Sequence, residues 1–106
     1  MSNDRLNDAE VEASMASLKQ WTCNIADSSI VKAWRFENFK KAIEMLVKVS
    51  ELAESHNHHP EIVSAHTLIR ITLWTHDVRG LTSKDFDLAQ AIDRLVERDF
   101  FDARPI

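Results

Sequence analysis

The stretch NFKKAIEMLVKVSELAES, residues 38–55, constrains the fold of this chain more than any other. At 100° per residue, Phe39, Ala42, Ile43, Met45, Leu46, Val47, Val49, Leu52 and Ala53 occupy an arc of roughly 220°, and Lys40, Lys41, Glu44, Lys48 and Glu51 fill the remainder. That period predicts a helix. A helix lying on one sheet needs an apolar stripe of only about 100°, so this one carries more apolar surface than a sheet can cover. The surplus predicts contact with other helices or with another subunit, with Met45 and Val49 as candidate contact positions.

The rest of the pattern supplies the sheet. Residues 67–75, TLIRITLWT, alternate: Ile69, Ile71 and Leu73 point one way and Leu68, Arg70, Thr72 and Trp74 the other. If the extension persists, His76 falls on the second face. QWTCNIA (20–26) and SIVKAWRF (29–36) have strand composition, with a turn over Ala26, Asp27, Ser28 and Ser29, and together predict a hairpin. Residues 61–66 predict a further short strand, although no glycine or proline turn separates it from the next. Residues 7–18 are rich in helix formers, with Asn7 or Asp8 as cap. After Gly80 breaks the chain, Thr82 as N-cap with Asp85 three positions on resembles a capping box. Leu81 can pack on Phe86 as a hydrophobic staple. Leu88, Ala89, Ile92, Leu95 and Val96 continue that last helix's buried stripe. The expected fold is one α+β domain over residues 1–106, an antiparallel sheet of about four strands with three helices packed on one face.

Composition narrows the function. The 106 residues carry a formal net charge of −4 with both signs interspersed, which gives direct nucleic-acid binding little electrostatic support. One glycine and two prolines leave no glycine-rich phosphate loop. There is no long apolar run to cross a membrane, and MSNDRLNDAE has neither the basic start nor the apolar core of a signal peptide. The single cysteine, Cys23, excludes an internal disulfide. A cytoplasmic protein is expected.

All five histidines fall between His56 and His76, three of them in the run ESHNHHPE. Three readings compete. Zinc can use three histidines, but adjacent rings rarely aim at one ion and the spacing matches no zinc motif. A solvated, histidine-rich helix end suits His56, because an imidazole there complements the helix dipole. It suits His58 and His59 less well, since Pro60 rigidifies the loop that follows them. Acid–base catalysis is the third reading: imidazole titrates near neutrality, so one ring can donate a proton while another accepts one. Glu54, one turn earlier, can orient an imidazole and stabilise its protonated form.

Glu54-x-x-x-His58-His59-Pro60, then Thr75-His76-Asp77, Gly80-Leu81 and Asp85, resemble the pterin-4a-carbinolamine dehydratases, over about residues 21–91. The segment ITLWTHDVRGLTSKDFDLA is similar to the family's strand–turn–helix passage. The resemblance implies an enzyme that eliminates water from a 4a-hydroxytetrahydropterin to give the quinonoid dihydropterin, in pterin recycling for aromatic amino-acid hydroxylases. It implies His58, His59 and His76 as the active-site histidines, with no metal and no cofactor, since the pterin is the substrate. Glu54 and Asp85 match carboxylates near the site, Pro60 its rigid loop, and Trp21 an aromatic position. Ile62 and His66 stand where the family usually has aromatics, and Lys84 where arginine is common. His66 is expected to serve as a planar ring in the pocket wall, with a fourth catalytic group as the competing reading.

The resemblance also implies partners. A homotetramer or homodimer is expected, using apolar surface of the 38–55 helix. A function of another class stays beside the enzyme, because animal members act as dimerisation cofactors for a transcription factor, bound through helices. A histidine-rich metal-binding protein is the third candidate.

Overall fold

The structure is a computed structural model that describes residues 4–106. Five strands and three α-helices follow one another as α1 (Asp8–Met15), β1 (Thr22–Asn24), β2 (Ser29–Arg35), α2 (Phe39–Ser55), β3 (Glu61–Ala65), β4 (Leu68–Leu73), α3 (Ser83–Asp99) and β5 (Arg104–Pro105), with a 3₁₀ turn, His76–Val78, before α3. All sheet pairings are antiparallel in the order β1-β2-β4-β3, and β5 joins β2 beside β1. This is the expected α+β fold, with one short strand more than the sequence pattern suggested.

Alternation decides which face is buried. Ile69, Ile71 and Leu73 of β4 stand opposite Trp34, Lys32 and Ile30 of β2, and all six are buried. Leu68, Arg70 and Thr72 lie on the other face with Val31, Ala33 and Arg35, where they are half-buried or exposed. Ala42, Met45, Val49 and Ala53 of α2 and Phe86, Leu88, Ala89, Ile92, Leu95 and Val96 of α3 close over the first face. Val11 and Met15 of α1 pack at its margin. Lys48 on α2 meets Asp99 on α3 at 2.9 Å. Hydrogen bonds from Arg98 and then Lys48 lower the Asp99 carboxyl to about 2.

The surplus arc of α2 is now resolved by position. Met45 and Val49 are fully buried in the protomer, so they are core residues and not the outward contact positions expected above. Phe39 and Val47 are the exposed ones, at 54% and 48%, with Ile43 half-buried between them.

Other elements differ at their ends. The first hairpin's loop is Ile25–Ser28, because β1 stops at Asn24, whose side chain accepts the Asp27 N–H at 3.3 Å. α1 stops at Met15 and buries none of its residues. β3 and β4 are joined by His66 and Thr67 alone, with His66 at φ 56°. Histidine is among the residues that tolerate the left-handed region, which is why no glycine was needed there. Similarly Arg79, at φ 51°, takes the left-handed turn residue's place, and Gly80 does not. Gly80 instead lies against the Arg5 side chain, which would stand 2.6 Å from an added Cβ.

Candidate functional site

The end of α2 sorts the histidine run into inward and outward side chains. His56 is the C-cap and Asn57, at φ 49°, is the left-handed residue after it. The Asn57 N–H donates to the Glu54 carbonyl at 3.1 Å, and the His58 N–H to the Ala53 carbonyl at 3.0 Å. These are the two bonds of a Schellman motif. Asn57 between the histidines was the available signal for it, since asparagine is the usual substitute for glycine at that position. The motif directs the chain inward at His58. Extended backbone then alternates, so His58 is buried and His59 is exposed before Pro60 leads into β3.

The two histidines therefore have different carboxylates. His58 Nε2 lies 2.6 Å from Asp85 Oδ1, where His58 is 8% exposed and Asp85 fully buried. His59 Nε2 lies 2.5 Å from Glu54 Oε2, at the surface. Asp85 is at the same time the third residue of α3, where its Oδ2 accepts the Thr82 N–H at 2.9 Å and the capping box is complete. Capping and histidine pairing are not alternatives for Asp85; one oxygen serves each. Leu81 and Phe86, on either side of the cap, are both buried.

His76 arrives by a different route. β4 ends at Leu73, and Thr75 pairs with Gly80 to close the 3₁₀ turn that carries His76. The His76 ring is exposed and leans on Trp74, with centroids 4.8 Å apart at 55°. Thr75 Oγ1 donates to Asp85 Oδ2 at 2.8 Å, which ties this turn to the His58–Asp85 pair. Glu54, His58, His59, Pro60, His76 and Asp85 thus belong to three adjoining chain segments: the end of α2, the turn after β4 and the start of α3.

Two expected site residues lie elsewhere. Trp21 is in the core, edge-on to Trp34 at 5.9 Å, and its Nε1–H donates to both oxygens of Asp93 at 3.1 and 3.0 Å. Asp93 also binds the buried Lys32 ammonium at 2.9 Å. It stands about 12 Å along α3 from Asp85. His66 is at the far end of β3 from Pro60, a separation of about 20 Å along the extended chain. There it stacks on Phe39 at the start of α2, with centroids 6.4 Å apart and planes 17° apart. Within the protomer His66 does not line the wall of the histidine site, because the hairpin turn carries it to the opposite end of α2. Ile62 is half-buried against the core.

Among the described residues, no three His, Cys, Asp or Glu side chains are grouped to hold a metal ion. A cavity of about 450 Å³ lies between α1 and the first hairpin, lined by Leu6, Val11, Met15 and Cys23 among others, with no histidine in its wall. No helix among the described residues is long and apolar enough to cross a membrane.

The sequence profile described as pterin 4 alpha carbinolamine dehydratase matches residues 4–95. A protein of Rhizobium leguminosarum bv. trifolii, provisionally named pterin-4-alpha-carbinolamine dehydratase, is 42% identical over 98 residues, covering 92% of this chain and 97% of its own. A Picosynechococcus protein with the same provisional name is 40% identical over 91 residues, covering 86% and 97%. The crystal structure of a transcriptional coactivator/pterin dehydratase from Brucella melitensis superposes with a TM-score of 0.83 at 26% identity, covering 87% of this chain and 98% of that one. With this match across most of its length, the chain belongs to the pterin 4 alpha carbinolamine dehydratase family.

Proposed function

We propose that the protein dehydrates a 4a-hydroxytetrahydropterin to the quinonoid dihydropterin, using histidine acid–base chemistry without a metal. The observation that carries the reading is the pair of histidine–carboxylate contacts, His58–Asp85 and His59–Glu54, set on consecutive residues inside the region matched to the family. The C4a hydroxyl leaves as water once an acid protonates it, while a ring-nitrogen lone pair forms the new C=N bond. A base then takes the proton from the ring. An exposed imidazole beside a carboxylate, such as His59 with Glu54, is suited to proton exchange with a substrate arriving from solvent. His76 is the second accessible imidazole, and His58 is held inward by Asp85. The substrate class links the protein functionally to aromatic amino-acid hydroxylases and to a cytoplasmic pterin pool.

The test is the decay of 4a-carbinolamine generated by hydroxylase turnover, followed with and without this protein after exhaustive chelation. Faster decay that survives chelation supports the reading. Decay at the uncatalysed rate, or catalysis lost with a removed metal, overturns it.

The assembly is proposed separately. Phe39, Ile43 and Val47 line a shallow outward groove on α2 of about 570 Å³, edged by Lys40, Glu44, Lys48 and Glu51. Alternating charges around an apolar centre favour pairing with the same surface of a second copy, in a homodimer or homotetramer. A transcriptional partner for this face is the alternative, supported by the coactivator name of the Brucella structure.

A further inference from the structure

We propose that Thr75 is a positioning residue of this site, its buried hydroxyl fixing the His58–Asp85 pair relative to the turn that carries His76. The inference rests on the dehydratase reading above and adds to it a group that touches no substrate.

Thr75 is 7% exposed and Thr82 fully buried. Thr75 Oγ1 lies 2.8 Å from Asp85 Oδ2 and 2.9 Å from Thr82 Oγ1, and the Lys84 N–H donates to Thr82 Oγ1 at 3.2 Å. Each hydroxyl has one proton to give. With the Thr75 proton on Asp85, the Thr82 hydroxyl must donate to Thr75. The chain of bonds therefore runs in one direction, from Lys84 N–H through Thr82 and Thr75 to Asp85, whose other oxygen accepts from His58 Nε2–H.

Helix capping does not account for Thr75. The Thr82 N–H already supplies Oδ2 with the donor that the capping box requires. The Thr75 hydroxyl is a second donor on the same oxygen, and it comes from outside the helix. Together they hold the carboxyl so that Oδ1 faces His58. Thr75 is also covalently next to His76, and its backbone closes the turn by pairing with Gly80, N to O at 2.8 Å. Movement of Thr75 would shift Asp85 and His76 together. Such chains of buried hydrogen bonds fix geometry as units, more than as independent pairs.

The experiment compares Thr75→Val, which keeps the shape and removes the hydroxyl, with Thr75→Ser, which keeps the hydroxyl. Loss of one hydrogen bond to a charged group should lower kcat for carbinolamine dehydration by about 10- to 100-fold in the valine variant. KM should change little, and serine should restore kcat. The second readout needs no catalysis: the His58 Nε2–H proton resonance, bonded to Asp85, should move or broaden in valine and stay in place in serine. If valine does not fold, Thr75→Ala is read by the same criteria. A folded valine or alanine variant with wild-type kcat and an unmoved His58 resonance overturns the inference, as does a kcat loss that serine fails to restore. Wild-type protein without dehydratase activity would sink the parent reading, while the His58 resonance would still decide the Thr75 link.

Discussion

Glu54 and His59 meet over the last turn of α2, Oε2 to Nε2 at 2.5 Å, with 74% and 64% of their side chains exposed. An exposed pair of this kind contributes only about 0–1 kcal/mol to stability. The dehydratase reading proposed above gives the contact another use, orienting the imidazole for proton transfer. His59→Ala should therefore lower kcat by about 10²- to 10⁴-fold while the melting temperature holds. Glu54→Gln should cost less than His59→Ala, because the imidazole remains. Steady-state rates with thermal melts check both, and an active His59→Ala enzyme would remove His59 from the mechanism.

The neighbouring histidine should behave differently. His58→Ala leaves the fully buried Asp85 without its imidazole, although Thr75 and Thr82 still donate to it. Removing one partner of a buried pair costs about 3 kcal/mol, so His58→Ala should destabilise where His59→Ala does not. Chemical denaturation of the two variants side by side measures the contrast. Equal stabilities would mean that the His58–Asp85 contact contributes nothing to the fold.

Much of this arrangement was legible before the structure. The 3.6-residue period of α2 and the two-residue alternation of β4 follow from burial alone, and the Thr82/Asp85 capping box with Leu81 and Phe86 is a local signal that needs no tertiary information. The inward and outward split of His58 and His59 had one local signal, Asn57, but an asparagine alone does not dictate the left-handed turn whose bonds from Asn57 and His58 set that split. The surroundings of Trp21 were not legible either. An aromatic that matches a family position says nothing about which polar group its indole will find, and here that group is Asp93, already engaged by the buried Lys32. β5 was missed because two residues, one of them Pro105, carry no period.

Burial also redirects the assembly test. Met45 and Val47 are two residues apart on α2, yet Met45 is fully buried and Val47 half exposed. Met45→Glu should unfold the protomer and so report nothing about its partners. Val47→Glu should leave the protomer folded and dissociate a homo-oligomer built on this face, since it places a charge in the apolar centre of the groove. Light scattering at micromolar concentration, with circular dichroism as the control, separates these outcomes. A wild-type protein that is monomeric under those conditions would contradict the proposed assembly.

His66 gives the sharpest test of where the site ends. Its ring stacks on Phe39 at the opposite end of α2 from His58, and its backbone occupies the left-handed region at φ 56°. Both observations assign it to the hairpin turn. His66→Tyr should then leave kcat and KM for the carbinolamine unchanged, because position 66 stays about 20 Å from Pro60 along β3. Stability should instead follow the backbone. His66→Val should lose about 1–2 kcal/mol, the cost of a left-handed conformation for a branched residue, while glycine should tolerate the turn and lose only the stacking on Phe39. Denaturation curves for the valine and glycine variants and steady-state kinetics for the tyrosine variant measure the two effects separately. A hundredfold fall in kcat for His66→Tyr at unchanged KM would instead mean that His66 acts in the transition state, which the distance along β3 does not allow within one protomer.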